Sequence, residues 1–242
     1  MLRLWPPADP ARGPLTPDDL AHAYAYPPGL AEPYVRMNFV SSADGAATAG
    51  GKSAGLGSDT DRRVFGLLRE LCEVILVGAG TVRAENYRGA RRPSRVTGVA
   101  PRIAVVTATG ELDPSTPLFT DTAVPPLVLT GRSCPPANRD RLRGAGAEVV
   151  VLDDERVTAT GLLAALQARG LRRVLCEGGP RLFGDLIAAD AVDELCLTIS
   201  PVLTGGDTFR IANGVPGELR RMRLVGMLTE CDVVLLRYAR DR

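Results

Sequence analysis

The residues best placed to do chemistry fall in two short stretches of this 242-residue chain. In VLCEGGPRLFGDLI, residues 174–187, an apolar run ends in Glu177 and is followed by Gly178, Gly179 and Pro180. Two glycines let a ligand approach the backbone without side-chain obstruction. Pro180 at a first helical position fits a helix continuing through Arg181, Leu182 and Phe183, whose free N–H groups and positive dipole end suit a phosphate. A Gly-Gly-Pro turn alone is equally an ordinary strand-to-helix corner. A second stretch, VILVGAGTVRAENYR at residues 74–88, repeats the plan with Gly78, Gly80 and Thr81. Two phosphate-friendly loops on one sheet edge suggest a dinucleotide. Neither is the G-x-G-x-x-G fingerprint opening an early βαβ unit, so a standard Rossmann domain is disfavoured.

Other chemistries are removed by composition. Of 29 basic residues only Lys52 is a lysine, and His22 is the single histidine. A His-rich metal site is excluded, a Ser-His-Asp triad would need His22, and a Schiff base would need Lys52. No metal is expected. The five cysteines, Cys72, Cys134, Cys176, Cys196 and Cys231, show no CxxC or zinc spacing and read as reduced core thiols. A formal net charge of +1 argues against an electrostatic nucleic-acid binder. No signal peptide and no run of 18 apolar residues is evident, so a cytoplasmic protein without a membrane partner is expected.

The elements that must position these loops follow from periodicity. Strands are expected over 34–41, 74–77, 103–106, 127–129, 148–152, 174–176 and 194–199, and helices over 58–72, 138–143, 159–169 and 181–188. Segments 223–229 and 232–238 read as a closing antiparallel pair around a turn near Glu230. Alternating strands and helices make an α/β fold with a largely parallel sheet, whose carboxyl edge binds ligands. Residues 1–33 contain Pro6, Pro7, Pro10, Pro14, Pro17, Pro27, Pro28 and Pro33, and are expected to form an extended arm with a short helix after Thr16. Residues 34–242 are expected to form one domain.

NFVSSADGAAT, GLLRELCEVILVGAGTVRAENYR, LCEGGPRLFGDLI and VDELCLTISPVLTGG occur in this order. Together they resemble the reductase domain of riboflavin biosynthesis, over about residues 34–238. The resemblance implies a dihydrofolate-reductase-like fold: a mostly parallel central sheet, flanking helices and a C-terminal antiparallel strand pair. It implies NADPH-dependent reduction of the ribosyl group of a 5-phosphoribosylamino-pyrimidine to ribityl, on either an amino-uracil or a diamino-pyrimidinone. The H-x-E and P-C-x-x-C signatures of the deaminase found fused to many bacterial members are absent. Asn38 also stands where those fused members have lysine. A standalone reductase, as in the archaeal and fungal branch, is therefore expected. Family habit further implies a homodimer paired through the C-terminal strands.

Position by position, the resemblance assigns Gly78 to Thr81 to the nicotinamide-side loop and Gly179 to Asp185 to the pyrophosphate. Gly178 lies beside the latter. Thr107 is placed near the adenosine half. Ser53, Arg69 and Glu177 match substrate contacts, with Arg69 on the 5-phosphate, although a surface arginine is its plainer reading. Glu85 matches an acidic position that is more often Asp in the family. Asp44 would shape the loop beside the nicotinamide, or simply make an Asp-Gly turn. Arg132, from its place at a strand end, is a candidate for the 2′-phosphate. Asn38 and Glu177 would hydrogen-bond the sugar, and Glu85 or a water would manage the proton. Lys52 is a candidate electrostatic aid beside Ser53. The Arg-rich stretch after residue 88 departs from the family pattern and leaves Arg88, Arg91 and Arg92 equal candidates for one substrate contact. A dihydrofolate or pterin reductase and a non-catalytic NADPH-binding protein are the rival readings.

Overall fold

The computed structural model describes residues 1–7, 13–214 and 218–241. Its strands are β1 (Leu2–Trp5), β2 (Tyr34–Ser42), β3 (Val74–Gly78), β4 (Arg102–Val106), β5 (Leu127–Thr130), β6 (Glu148–Val151), β7 (Arg173–Cys176), β8 (Glu194–Ser200), β9 (Arg223–Glu230) and β10 (Val233–Ala239). The helices are α1 (Pro17–Ala23), α2 (Asp59–Leu71), α3 (Ala79–Ala84), α4 (Pro117–Thr120), α5 (Pro136–Gly144), α6 (Ala159–Gln167) and α7 (Pro180–Ala188). Among the described residues one sheet runs β1-β9-β10-β8-β2-β7-β3-β4-β5-β6. From β8 to β6 all pairings are parallel, and β1, β9 and β10 complete the sheet in antiparallel fashion.

Strands β3, β4 and β5 are almost wholly buried because helices cover both their faces. That is why VILV, IAVV and LVL are unbroken apolar runs. Two apolar clusters form, one on each face: Leu67, Leu68, Ile75 and Ile103 lie in the first, and Met37, Leu76, Leu129 and Leu162 in the second. Helix α2 starts at a Ser58 cap, whose hydroxyl accepts the Asp61 N–H at 3.0 Å, and buries Val64, Leu67, Leu68 and Leu71 on one stripe.

The first 33 residues do not run as an extended arm. β1 pairs with β9, and Trp5 Nε1 donates to the Leu224 carbonyl at 3.3 Å. The expected helix after Thr16 forms with a capping box: Thr16 Oγ1 accepts the Asp19 N–H at 3.1 Å, and Asp19 Oδ2 accepts the Thr16 N–H at 3.0 Å. Tyr24 and Tyr26 then enter the core. Apolar side chains between the prolines outweigh the prolines' preference for an extended chain, because burying them gains more than an exposed arm offers. Pro10 lies outside the described residues. Four cysteines are buried as expected, whereas Cys231 is exposed on the β9–β10 turn.

Candidate active site

The strand order carries the site. β7 lies between β2 and β3, with Leu76 beside Cys176, so the two glycine loops leave the sheet side by side. The Gly78 N–H donates to the Gly178 carbonyl at 2.7 Å. The Gly178–Gly179 peptide is cis. A Cβ on Gly179 would stand 2.7 Å from Thr81 Oγ1, and one on Gly178 would stand 3.0 Å from the Phe39 ring, which stacks on Phe183 with centroids 5.1 Å apart. Gly80 instead faces open space, with nothing within 4 Å of a Cβ built on it. No side chain caps α7 at Gly179. The junction is therefore bare backbone beside an open helix start, as a dinucleotide's phosphates require. Leu182 and Phe183 are buried in the second cluster, so these positions offer a ligand backbone rather than side chains.

Further along the same edge stand the remaining cofactor candidates. The Thr107 hydroxyl is buried and accepts the Gly110 N–H at 3.0 Å, which spends it on its own turn. Arg132, just beyond β5, is 62% exposed, and its closest acid is Glu155 at 3.8 Å. It sits three strand spacings from β7, about 14 Å. Asp44 bridges two loops: the Ser42 hydroxyl donates to it, and the Gly205 and Thr204 N–H groups reach Oδ2 at 2.8 and 3.1 Å. These donors hold its carboxyl down at about 2, with the Ser42 hydroxyl contributing most.

The other half of the site lies between α2 and the end of β7. Arg69 grips Glu177 bidentately, Nε to Oε1 and Nη2 to Oε2, both at 2.7 Å. The Tyr87 hydroxyl also donates to Oε2. Phe65 flanks the guanidinium at 4.4 Å. Burial and then the Glu177 charge push the Tyr87 hydroxyl well above its ordinary range. Met37 pairs with Cys176, so Asn38 stands next to Glu177 on the following rung. Ser53 N and Oγ both donate to Glu85 Oε1, at 3.0 and 2.9 Å, clasping the glycine-rich loop to the end of α3.

Most of the residues singled out from the sequence thus converge, with three differences. Arg69 is held by a carboxylate, where the sequence reading placed it on a phosphate. Tyr87 lay inside a quoted motif without a role, and its hydroxyl is a third donor to Glu177. Arg88 and Arg91 turn toward Asp121, and Arg92 reaches Glu70 at 3.0 Å, so all three arginines are engaged by surface carboxylates. Lys52 is exposed beside the clasp. The signal that finds Tyr87 is tertiary, since it lies 90 residues from Glu177.

The family model described as RibD C-terminal domain matches residues 33–236. The chain is 34% identical over 206 residues to the 2,5-diamino-6-ribosylamino-4(3H)-pyrimidinone 5′-phosphate reductase of Methanothermobacter thermautotrophicus, covering 80% of this chain and 94% of that protein. It is 33% identical over 177 residues to the riboflavin biosynthesis protein RibD of Bacillus amyloliquefaciens. That match covers 72% of this chain but 47% of the relative, so the chain spans about half of that longer protein. Among solved structures, a pyrimidine reductase-like protein from Corynebacterium diphtheriae superposes with a TM-score of 0.76 at 26% identity, covering 87% and 92% of the two chains. A dihydrofolate reductase from Enterococcus faecalis superposes with a TM-score of 0.52 at 16% identity over 86% of this chain and 97% of that one, a likeness of fold alone.

Proposed function

Because this chain belongs to the RibD C-terminal domain family, we propose that it is a riboflavin-pathway reductase. Its substrate is 2,5-diamino-6-ribosylamino-4(3H)-pyrimidinone 5′-phosphate, whose ribosyl group it reduces to ribityl with NADPH. The observation that carries this reading is the bare glycine junction directly following Glu177, which Arg69 and Tyr87 hold. A dinucleotide seated on Gly78–Thr81 and Gly178–Pro180 ends where a sugar on Glu177 and Asn38 begins. The first α7 turn suits the pyrophosphate, and Arg132 suits a 2′-phosphate.

The nicotinamide, when bound, supplies the hydride. The protein's residues position and neutralise. Glu177 and Asn38 accept and donate hydrogen bonds to the ribose hydroxyls. Arg69 and Tyr87 hold Glu177 in one orientation, so the sugar meets a preorganised carboxylate. Reduction of the ring-opened imine adds hydride at C1′ and a proton at nitrogen. Glu85, fixed by Ser53, is the residue placed to manage that proton. The Asp44 bridge ties the turn after β2 to the segment after β8.

A homodimer fits the outer face of the antiparallel strands, where Leu197, Ile199, Met227, Val234 and Leu236 are half-exposed and Trp5 is 45% exposed. No described helix is long and apolar enough to cross a membrane.

The test is nicotinamide absorbance with purified protein, NADPH or NADH, and each substrate. NADPH should be consumed with the diaminopyrimidinone compound. Background rates with both phosphoribosylamino-pyrimidines would overturn the assignment. Consumption with dihydrofolate alone would make it a pterin reductase, and tight cofactor binding without any turnover a nucleotide-binding protein.

A further inference from the structure

The family match begins at residue 33, yet residues before it line a cleft. Leu15, Pro17 and Leu20, at the start of α1, face Leu67 of α2 across it. These side chains are held in place. The Leu15 N–H donates to the Met1 carbonyl at 3.0 Å, the Thr16 capping box fixes the first turn of α1, and Leu20 is buried in the same cluster as Leu67. The cleft holds about 300 Å³. That is the lower end of the range for small-ligand sites, and about the room of ten water molecules. Glu70 also lines it. Glu70 follows Arg69 on α2, about 100° further round the helix, so the cleft and Glu177 lie on different faces of α2.

The charged lining is unbalanced. Glu70 takes Arg92 Nη1 on Oε1 and Arg95 Nε on Oε2, both at 3.0 Å. The Arg95 N–H also donates to the Glu70 carbonyl at 2.6 Å, which anchors that arginine to the end of α2. Glu230 takes Arg63 and the Thr60 hydroxyl. Three guanidiniums therefore line the cleft beside two carboxylates, an excess of at least one positive charge. Both Arg63 and Arg95 are about half-exposed. Among the described residues Arg95 commits only Nε of its guanidinium and Arg63 only Nη2, out of five donors each. Apolar walls with spare guanidinium N–H groups suit a ligand with an apolar body and a negative head. A carboxylate supplies that head, because its two oxygens match the guanidinium fork.

We propose that this cleft binds a small apolar carboxylate, its head on the Arg95 guanidinium and its body against Leu15, Pro17, Leu20 and Leu67. Arg95 keeps Nε on Glu70 and turns Nη1 and Nη2 to the ligand, so binding leaves the Glu70 pair intact. Arg63 adds the attraction of a second cation. The site is separate from the reduction site, and the proposal does not depend on the reduction reading.

The test is a titration with 3-phenylpropionate, followed by the backbone amide NMR shifts of the protein. The amides of Leu15, Leu20, Leu67 and Arg95 should move together along one saturation curve. The neutral alcohol 3-phenylpropan-1-ol, with the same body and no charge, should bind about tenfold more weakly. Arg95→Ala should weaken 3-phenylpropionate by a similar factor, about tenfold. Leu15→Glu, which sets a like charge against the ligand, should weaken it too. Inorganic phosphate at the same concentration should leave the probe in place. Shift changes confined to the surroundings of Glu177, equal affinity for the alcohol, displacement by phosphate, or unchanged affinity in both variants would each overturn the proposal.

Discussion

Glu177 and Glu194 each meet arginine and tyrosine, yet they do opposite work. Glu194 opens β8, at the sheet end away from the glycine loops, and its side chain is fully buried. Arg36 Nη2 and the Tyr34 hydroxyl both donate to Oε2 at 3.1 Å. Arg36 Nε and Arg237 Nε lie 3.0 and 2.7 Å from Oε1, close enough for attraction without being aligned as hydrogen bonds. Arg36 also donates to the Tyr24 carbonyl at 2.7 Å, which ties the N-terminal segment to the sheet. Two guanidiniums on one fully buried carboxylate, one of them, Arg36, itself fully buried, make a lock. Glu177 has one guanidinium, from Arg69, which is 25% exposed. The same pairing becomes a positioning device when it stands at the carboxyl ends of the strands, where open α/β sheets bind ligands.

The largest effect that could break this contrast is on stability. Glu194→Gln leaves two arginines facing a neutral group, one of them fully buried, and should cost about 3–5 kcal/mol, a drop in thermal midpoint on the order of 10 °C for a chain of this size. The cofactor KM of the remaining folded enzyme should not change. A midpoint within a degree or two of the wild type would mean Glu194 is no lock.

Glu177→Gln should act on turnover. A fall in kcat of about a hundredfold is expected, with the cofactor KM nearly unchanged and a smaller midpoint shift than Glu194→Gln, because water reaches Arg69. Equal losses in kcat and in cofactor binding would reject the substrate role and make the two glutamates alike.

Asp44, an exposed carboxylate held by hydroxyl and backbone donors, sharpens the contrast from the other side. Its folded value near 2 lies below the ordinary aspartate value of about 3.9. Its contribution is therefore present above pH 4 and fades as pH falls toward 2. The midpoint gap between wild type and Asp44→Asn should be small at pH 6 and close on acidification. A gap that widens toward pH 2.5 would contradict the sign.

Much of the fold was legible in residue order. The runs VILV, IAVV and LVL mark buried parallel strands because only a sheet covered on both faces tolerates them. The Ser58 cap and the stripe through Val64, Leu67, Leu68 and Leu71 mark α2. The glycine loops read as phosphate cradles because glycine's missing Cβ is a local property. The N-terminal strand was hidden, since LRLW is short and sits against two prolines, and its partner β9 lies more than 200 residues away. The role of Tyr87 was hidden for the same reason, because it gains meaning from Glu177, 90 residues away.

The sequence by itself determined the α/β alternation, the two glycine junctions and the narrowing of histidine and lysine chemistry to His22 and Lys52, because periodicity, backbone freedom and residue inventory are local quantities. Tertiary structure alone decided that β7 inserts between β2 and β3, which joins the two junctions and brings Arg69 to a glutamate 108 residues away. Backbone hydrogen bonds between strands carry no residue code, so which strands become neighbours is settled only when the apolar faces of the whole sheet are buried together.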